Sequence, residues 1–177
     1  MQKHIAWVAR ERSRVRKTHT PVEWTDGTTI LLDGEPVVIA VERGPVGLVA
    51  RFGSRSVSVT NSGNLRPDLE ANLRTLARER LVPRLYELAS ALGVTVNGAS
   101  IRNQSSRWGS CSRKGFIALN FRLVQMPPAV AEYVLIHELM HLKQQNHGPR
   151  FWRLVAHACP SFRESERWLR KYGRSLF

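Results

Sequence analysis

A chain of 177 residues with a formal charge of +13 and two cysteines suits one domain, long enough to bury about 70% of its unfolded surface. Cys111 and Cys159 stand far apart and form no C-x-x-C pair, so neither a disulfide scaffold nor a cysteine zinc site is indicated, and reduced thiols imply a cytoplasmic protein. No stretch approaches the ~20 apolar residues of a membrane span, which argues against a membrane role.

The chain opens on a basic segment, residues 1–20, with Arg10, Arg12, Arg14, Arg16 and Lys17. It lacks the apolar core of a signal peptide and the serine richness of a mitochondrial leader. The alternating arginines would share one face of a strand, and a disordered arm would present them equally well. Residues 21–177 read as a single domain, with a β-rich part at about 28–62 and the remainder at about 63–177. In the first part, Ile30 to Leu32, Val37 to Val41, Val46 to Phe52 and Val57 to Val59 are short apolar runs bounded by glycine, serine or asparagine, the pattern of a small antiparallel β region. Leu69, Leu73, Leu76, Leu81, Leu85, Leu88 and Leu92 then form a helical stripe over 68–92, and Pro83 inside it predicts a kink or two consecutive helices. Gly93 ends that run. Val94 to Val96, Ser100 to Arg102 and Gly115 to Phe121 read as strands. Pro127-Pro128 predicts a helix start, with the helix continuing to about Gln145. Two more helices are expected, one over about 149–157 and one after Pro160, where Ser161-Phe162-Arg163-Glu164 has the form of a capping box. Strands, helix, strands and then helices make an α+β domain.

The chemistry concentrates in His137-Glu138-Leu139-Met140-His141. Residues four apart on a helix return to one face within about 40°, so two imidazoles can converge on one ion. Glu138, one step round, is placed to take a proton from a zinc-bound water whose pKa the metal lowers to roughly 7. A catalytic zinc has three protein ligands, and His147 is the candidate third. On a continuing helix it would lie about 80° away from His137. A helix that stops before Gly148-Pro149 lets the chain turn back over the metal. The competing reading is a plain amphipathic helix with two satisfied histidines.

Arg107-Trp108-Gly109-Ser110-Cys111-Ser112, Ile117-Ala118-Leu119-Asn120, Pro127-Pro128, Glu132 to His141 and Asn146 to Trp152 occur as separate blocks in that order. In this the chain resembles the YgjP-like zinc metallopeptidases, relatives of the SprT- and Wss1-type proteases. The resemblance covers the last two thirds of the chain, and the first twenty residues are more basic than it would suggest. It implies a minimal zincin core, Zn2+ held by His137, His141 and His147, and Glu138 as general base. It also implies that Trp108 to Ser110 and Ile117 to Asn120 form a strand or hairpin beside the metal.

Other residues carry two readings each. Tyr133, four before His137, is a packed tyrosine or an oxyanion donor. Arg107 and Arg150 are solvated surface or anion ligands. Trp108 and Trp152 are core or a stacking platform. Cys111 is a small core residue or a metal-proximal thiol. The first functional expectation is a zinc-dependent hydrolase of polypeptides, extended by the positive charge to substrates associated with DNA. Two alternatives stand beside it: a metal-dependent pyrophosphatase acting on a nucleotide such as UTP, and a non-catalytic zinc module that binds nucleic acid. The arginines at either end would contact nucleic acid or nucleotide in these readings, or form ordinary solvated surface. Oligomeric state is not legible.

Overall fold

The computed structural model describes residues 22–177; the basic cluster from Arg10 to Lys17, with His4 and His19, lies outside them. The first two strands, β1 (Thr29–Leu32) and β2 (Glu35–Val38), form a hairpin closed by Asp33 and Gly34. Both turn residues have positive φ, 54° and 86°, as a two-residue hairpin turn with the twist of its strands demands. The turn docks on a later segment through Asp33 N–H to the Val124 carbonyl and Gly34 N–H to that of Gln125, at 2.9 and 3.1 Å.

The apolar run from Val37 to Val41 is not one strand. Ile39, fully buried, interrupts it: its N–H donates to the Thr28 carbonyl, and its own carbonyl accepts from Gly27. Beyond it, β3 (Ala40–Gly44), β4 (Gly47–Phe52) and β5 (Arg55–Val59) make a separate antiparallel meander. One apolar side chain driven into the core at the crossing divides the expected β region into two sheets.

The leucine stripe forms α1 (Arg66–Ala91), one helix that carries Pro83 in its interior and not two. Leu81 and Leu85 on either side of the proline are both buried, so the packed face continues across the missing backbone bond. Gly93 (φ 61°) ends the helix in a paired cap: its N–H reaches the Ser90 carbonyl and that of Val94 the Ala89 carbonyl, the Schellman arrangement. With its N–H used in this way, Val94 does not begin a strand. The expected strand over Val94 to Val96 is irregular chain, and pairing starts at Gly98.

The third sheet holds β6 (Gly98–Arg102), β7 (Gly109–Cys111) and β8 (Phe116–Asn120), ordered β6-β8-β7, with β6 parallel and β7 antiparallel to β8. Ile117 and Leu119 point into the core. A 3-10 turn (Phe121–Gln125) leads to α2 (Pro128–Met140), followed by α3 (Pro149–Ala158) and α4 (Phe162–Tyr172). The start of α4 falls where the sequence placed it, but the Ser161 side chain makes no capping bond. The Ser161 carbonyl takes the Glu164 N–H instead, at 2.9 Å. The fold is α+β. A buried ionic knot fastens α1 to the 3-10 turn: Glu70 accepts from Arg66, Arg74 and Arg122 at 2.8, 3.0 and 3.2 Å. The apolar core runs without a break from Ile30 in the first hairpin to Phe162 in the last helix.

Candidate metal centre

α2 starts at Pro128, where a missing N–H costs nothing. It is buried along most of its length by Val130, Val134, Leu135, Ile136 and Leu139. This rigid core helix carries His137 and Glu138 on its last turn. The helix stops at Met140, five residues short of the expected end. The ladder there tightens to bonds of three-residue span, with His141, Leu142 and Lys143 donating to Glu138, Leu139 and Met140. His141 keeps helical dihedrals (φ −65°, ψ −21°) and so remains one turn above His137. The Gln145 side chain caps the freed His141 carbonyl at 2.7 Å. The chain then reverses through Asn146 to Gly148 and returns His147 to the site, as the Gly148-Pro149 signal implied.

The ligand-capable atoms of His137, His141 and His147 lie within 4.8 Å of one another, the one such group of three among the described residues. The Nε2 atoms of His137 and His147 are 3.0 Å apart. His141 Nδ1–H donates to the Gln144 carbonyl at 3.2 Å, which fixes its tautomer and frees Nε2 as a lone-pair donor. His137 Nδ1 lies 3.5 Å from the Tyr133 hydroxyl. Beneath the cluster is Phe151, fully buried, with its ring centroid 4.9, 4.6 and 4.7 Å from those of His137, His141 and His147.

Burial holds all three imidazoles in the neutral form. It lowers His137 to about 3, helped by the other two rings; it also lowers His141, assisted by His147, and His147 by itself. Neutral nitrogens crowded on one point, with the outer nitrogens of His141 and His137 turned to a carbonyl and a hydroxyl, fit a transition-metal cation. Three protein donors is also the number found in catalytic zinc sites.

Glu138 is only 6% exposed. Burial raises its carboxyl to about 7, and the nearby Arg107 cation partly opposes that rise. Arg107 itself is exposed. Tyr133 is 4% exposed, and its hydroxyl meets the back of His137, which suits a packed, orienting residue. Trp152 lies edge-on to His137 and stacked on Phe162, at 5.9 and 5.8 Å, and Trp108 stacks on Phe177 at 4.4 Å. Both indoles are packed in this way. Burial and the Glu138 charge push the Cys111 thiol up to about 11, and it stands outside the three-histidine group. His157 and Cys159 stand outside the cluster.

The family model of the YgjP-like metallopeptidase domain matches residues 1–172. The chain belongs to that family. Membership of a metallopeptidase family implies a metal, and the three-histidine group is where this YgjP-like chain can hold one. Among solved structures the metallopeptidase zymogen of Pyrococcus abyssi abylysin matches at 30% identity and a TM-score of 0.45, over 51% of this chain and 92% of that one. No curated protein matches. Sequence reasoning singled out the histidines and Glu138 but not the Phe151 floor or the Gln144 carbonyl. For Phe151 a signal exists, since it falls four residues after His147 at the restart of a helix; a backbone carbonyl leaves none.

Proposed function

We propose that this protein is a zinc-dependent peptidase of the H-E-x-x-H type, with His137, His141 and His147 as metal ligands and Glu138 as general base. The observation that carries the reading is the convergence of three neutral imidazoles within 4.8 Å, next to a buried carboxyl poised near neutral pH. His137, His141 and His147 would hold the zinc, which would supply a Lewis acid for the scissile carbonyl and acidify the attacking water. Glu138 takes the proton from that water and delivers it to the leaving amine nitrogen, work that favours a carboxyl whose pKa lies near the operating pH. Tyr133 and the Gln144 carbonyl orient the His137 and His141 rings. β7, at the free edge of its sheet, offers backbone donors and acceptors to an extended polypeptide, giving affinity with little side-chain selectivity. Residues 21–177 act as one catalytic unit.

The exposed cations of α3 and α4 support a class of substrate, proteins associated with DNA. Arg150, Arg153, Arg163, Arg167, Arg170 and Lys171 are all exposed, and the pairing of Arg167 with Glu164 is loose, 4.0 Å long with both side chains 74% exposed. Such a surface attracts polyanions in a salt-dependent way.

The test compares wild type with Glu138→Gln. Metal content is measured first, then cleavage of casein with and without single-stranded DNA, with UTP as a phosphoanhydride control. The expected result is about one zinc per chain in both proteins, casein cleavage by the wild type only, and faster cleavage with DNA. Glu138-dependent turnover of UTP alone would replace the peptidase reading. Cleavage indifferent to DNA would remove the DNA-associated substrate.

A further inference from the structure

Gly109 is the second residue of the Trp108-Gly109-Ser110 run and the first of β7. Its backbone φ does not lie in the left-handed region, so the conformation places no demand for glycine there. Space does. A methyl group on Gly109 would lie 2.6 Å from Glu138 Cγ, 2.6 Å from Oε1 and 2.8 Å from Cδ. All three of its nearest neighbours belong to one side chain, which means the Glu138 carboxylate arm lies flat across the bare backbone of the edge strand.

The strand cannot retreat to make room. The Trp108 carbonyl accepts from Asn120 N–H at 2.8 Å, and Asn120 Nδ2 donates to the carbonyls of Gln104 and Arg107 at 2.7 and 3.0 Å. Asn120 is wholly buried. Behind the strand, the Trp108 ring is held by Phe177 at 4.4 Å, and its Cζ2 lies 3.2 Å from where a methyl group on Gly173 would stand. On the other side, α2 is fixed in the core. Anything larger than hydrogen at position 109 therefore moves the carboxylate and leaves both backbones where they are.

We infer that Gly109 is the positioning residue for Glu138: its missing side chain is the slot that sets where the carboxylate stands relative to the three histidines. The functional part of this inference rests on the proposed role of Glu138 as general base; the steric part does not. A slot of this kind fixes the base by exclusion, with no hydrogen bond to compete for the lone pair that must accept a proton. It also puts the base directly beside the strand on which an extended substrate would lie, so that the carboxylate and the bound chain share one reference surface.

The experiment is a double-mutant cycle read in two ways. In the metal-free protein, Gly109→Ala is measured by urea unfolding in the wild-type background and in Glu138→Ala, which removes all three crowding atoms. The expected result is a lowered midpoint in the first background and an unchanged or raised one in the second, because alanine restricts the unfolded chain more than glycine does. An equal loss in both backgrounds would overturn the steric slot. In the zinc-loaded protein, Gly109→Ala is expected to keep its metal and its KM for casein while kcat falls at least tenfold. Gly98→Ala serves as the control, since its methyl group meets only the Phe116 ring, at 2.8 Å, on a ring 55% exposed, and its kcat should match wild type. Coupling in stability with kcat unchanged would reduce Gly109 to a packing residue and overturn the positioning role. If the loaded wild type does not cleave casein at all, the peptidase reading fails, and the positioning role with it, while the urea cycle still decides the slot.

Discussion

A buried carboxyl whose charge is only partly compensated is costly to the fold, and Glu138, with the Arg107 cation offsetting part of its desolvation, is such a group. Its pKa is raised from 4.5 to about 7 in the folded, metal-free protein. Between those values the native state holds more protons than the unfolded chain, so the Glu138 contribution to stability falls as pH rises through this window and levels off above it. The penalty at pH 8 is on the order of 3 kcal/mol. Metal-free Glu138→Gln should accordingly gain on wild type between pH 4.5 and pH 7 when urea midpoints are compared. Equal midpoints at pH 5 and pH 8 would show that the carboxyl is not desolvated. His137, lowered to about 3, acts in the opposite sense below pH 6.5 and is common to both proteins, so the difference isolates Glu138. At this scale the sequence was most legible where chemistry depends on spacing. His137 and His141 are one turn apart in any helix, and the Gly148-Pro149 break announces the return of His147. Gly109 was not legible as a positioning residue, because it acts through a contact between elements that the order of residues does not encode, whereas Phe151 left only its four-residue spacing from His147.

At the scale of elements, hydrophobic period located almost every helix, and backbone bonding decided the details. The leucine stripe predicts α1 whatever happens at Pro83, since the face that packs is intact on both sides of it. The strand expected at Val94 to Val96 fails for a local reason: the cap of α1 takes the Val94 N–H before any sheet can. Gly93 is the residue that permits this cap. Its φ is 61°, and a methyl group there would meet nothing within 4 Å. Gly93→Ala should therefore cost about 1–2 kcal/mol through backbone strain alone, with Gly93→Asn costing less, as thermal or urea unfolding would show. A loss in the alanine variant no greater than a few tenths would mean that the cap does not hold the end of α1. The early stop of α2 has the same origin. Three successive short-span bonds after Met140 end the helix and free the chain to turn, and composition gave no warning of them.

Across the whole molecule, charge is sorted. The middle of the chain pairs several of its arginines with acids, such as Arg80 with Asp33 and Arg84 with Glu132, whereas α3 and α4 leave a cationic surface. The central junction is the knot at Glu70, only 7% exposed, with Arg122 at 6%. Removing the one carboxylate that three guanidinium groups share leaves the buried Arg122 cation without its counter-charge, a change that typically costs about 3–5 kcal/mol. Glu70→Ala should lower stability by that order in a urea titration. Replacement without measurable loss would show the knot to be ornamental. The net charge makes an excess of cations legible in the sequence, but which arginines are paired depends on distant acids that folding alone brings near.

Trp152 gives the site a consequence of a different kind. Its indole lies 5.9 Å from the rings of both His137 and His147, close enough for its excited state to sense whether those imidazoles are neutral, protonated or coordinated. The difference in emission between wild type and Trp152→Phe should change on zinc addition and saturate at about one equivalent. The centre thus carries its own optical reporter, and occupancy of the site can be followed in real time with no substrate present.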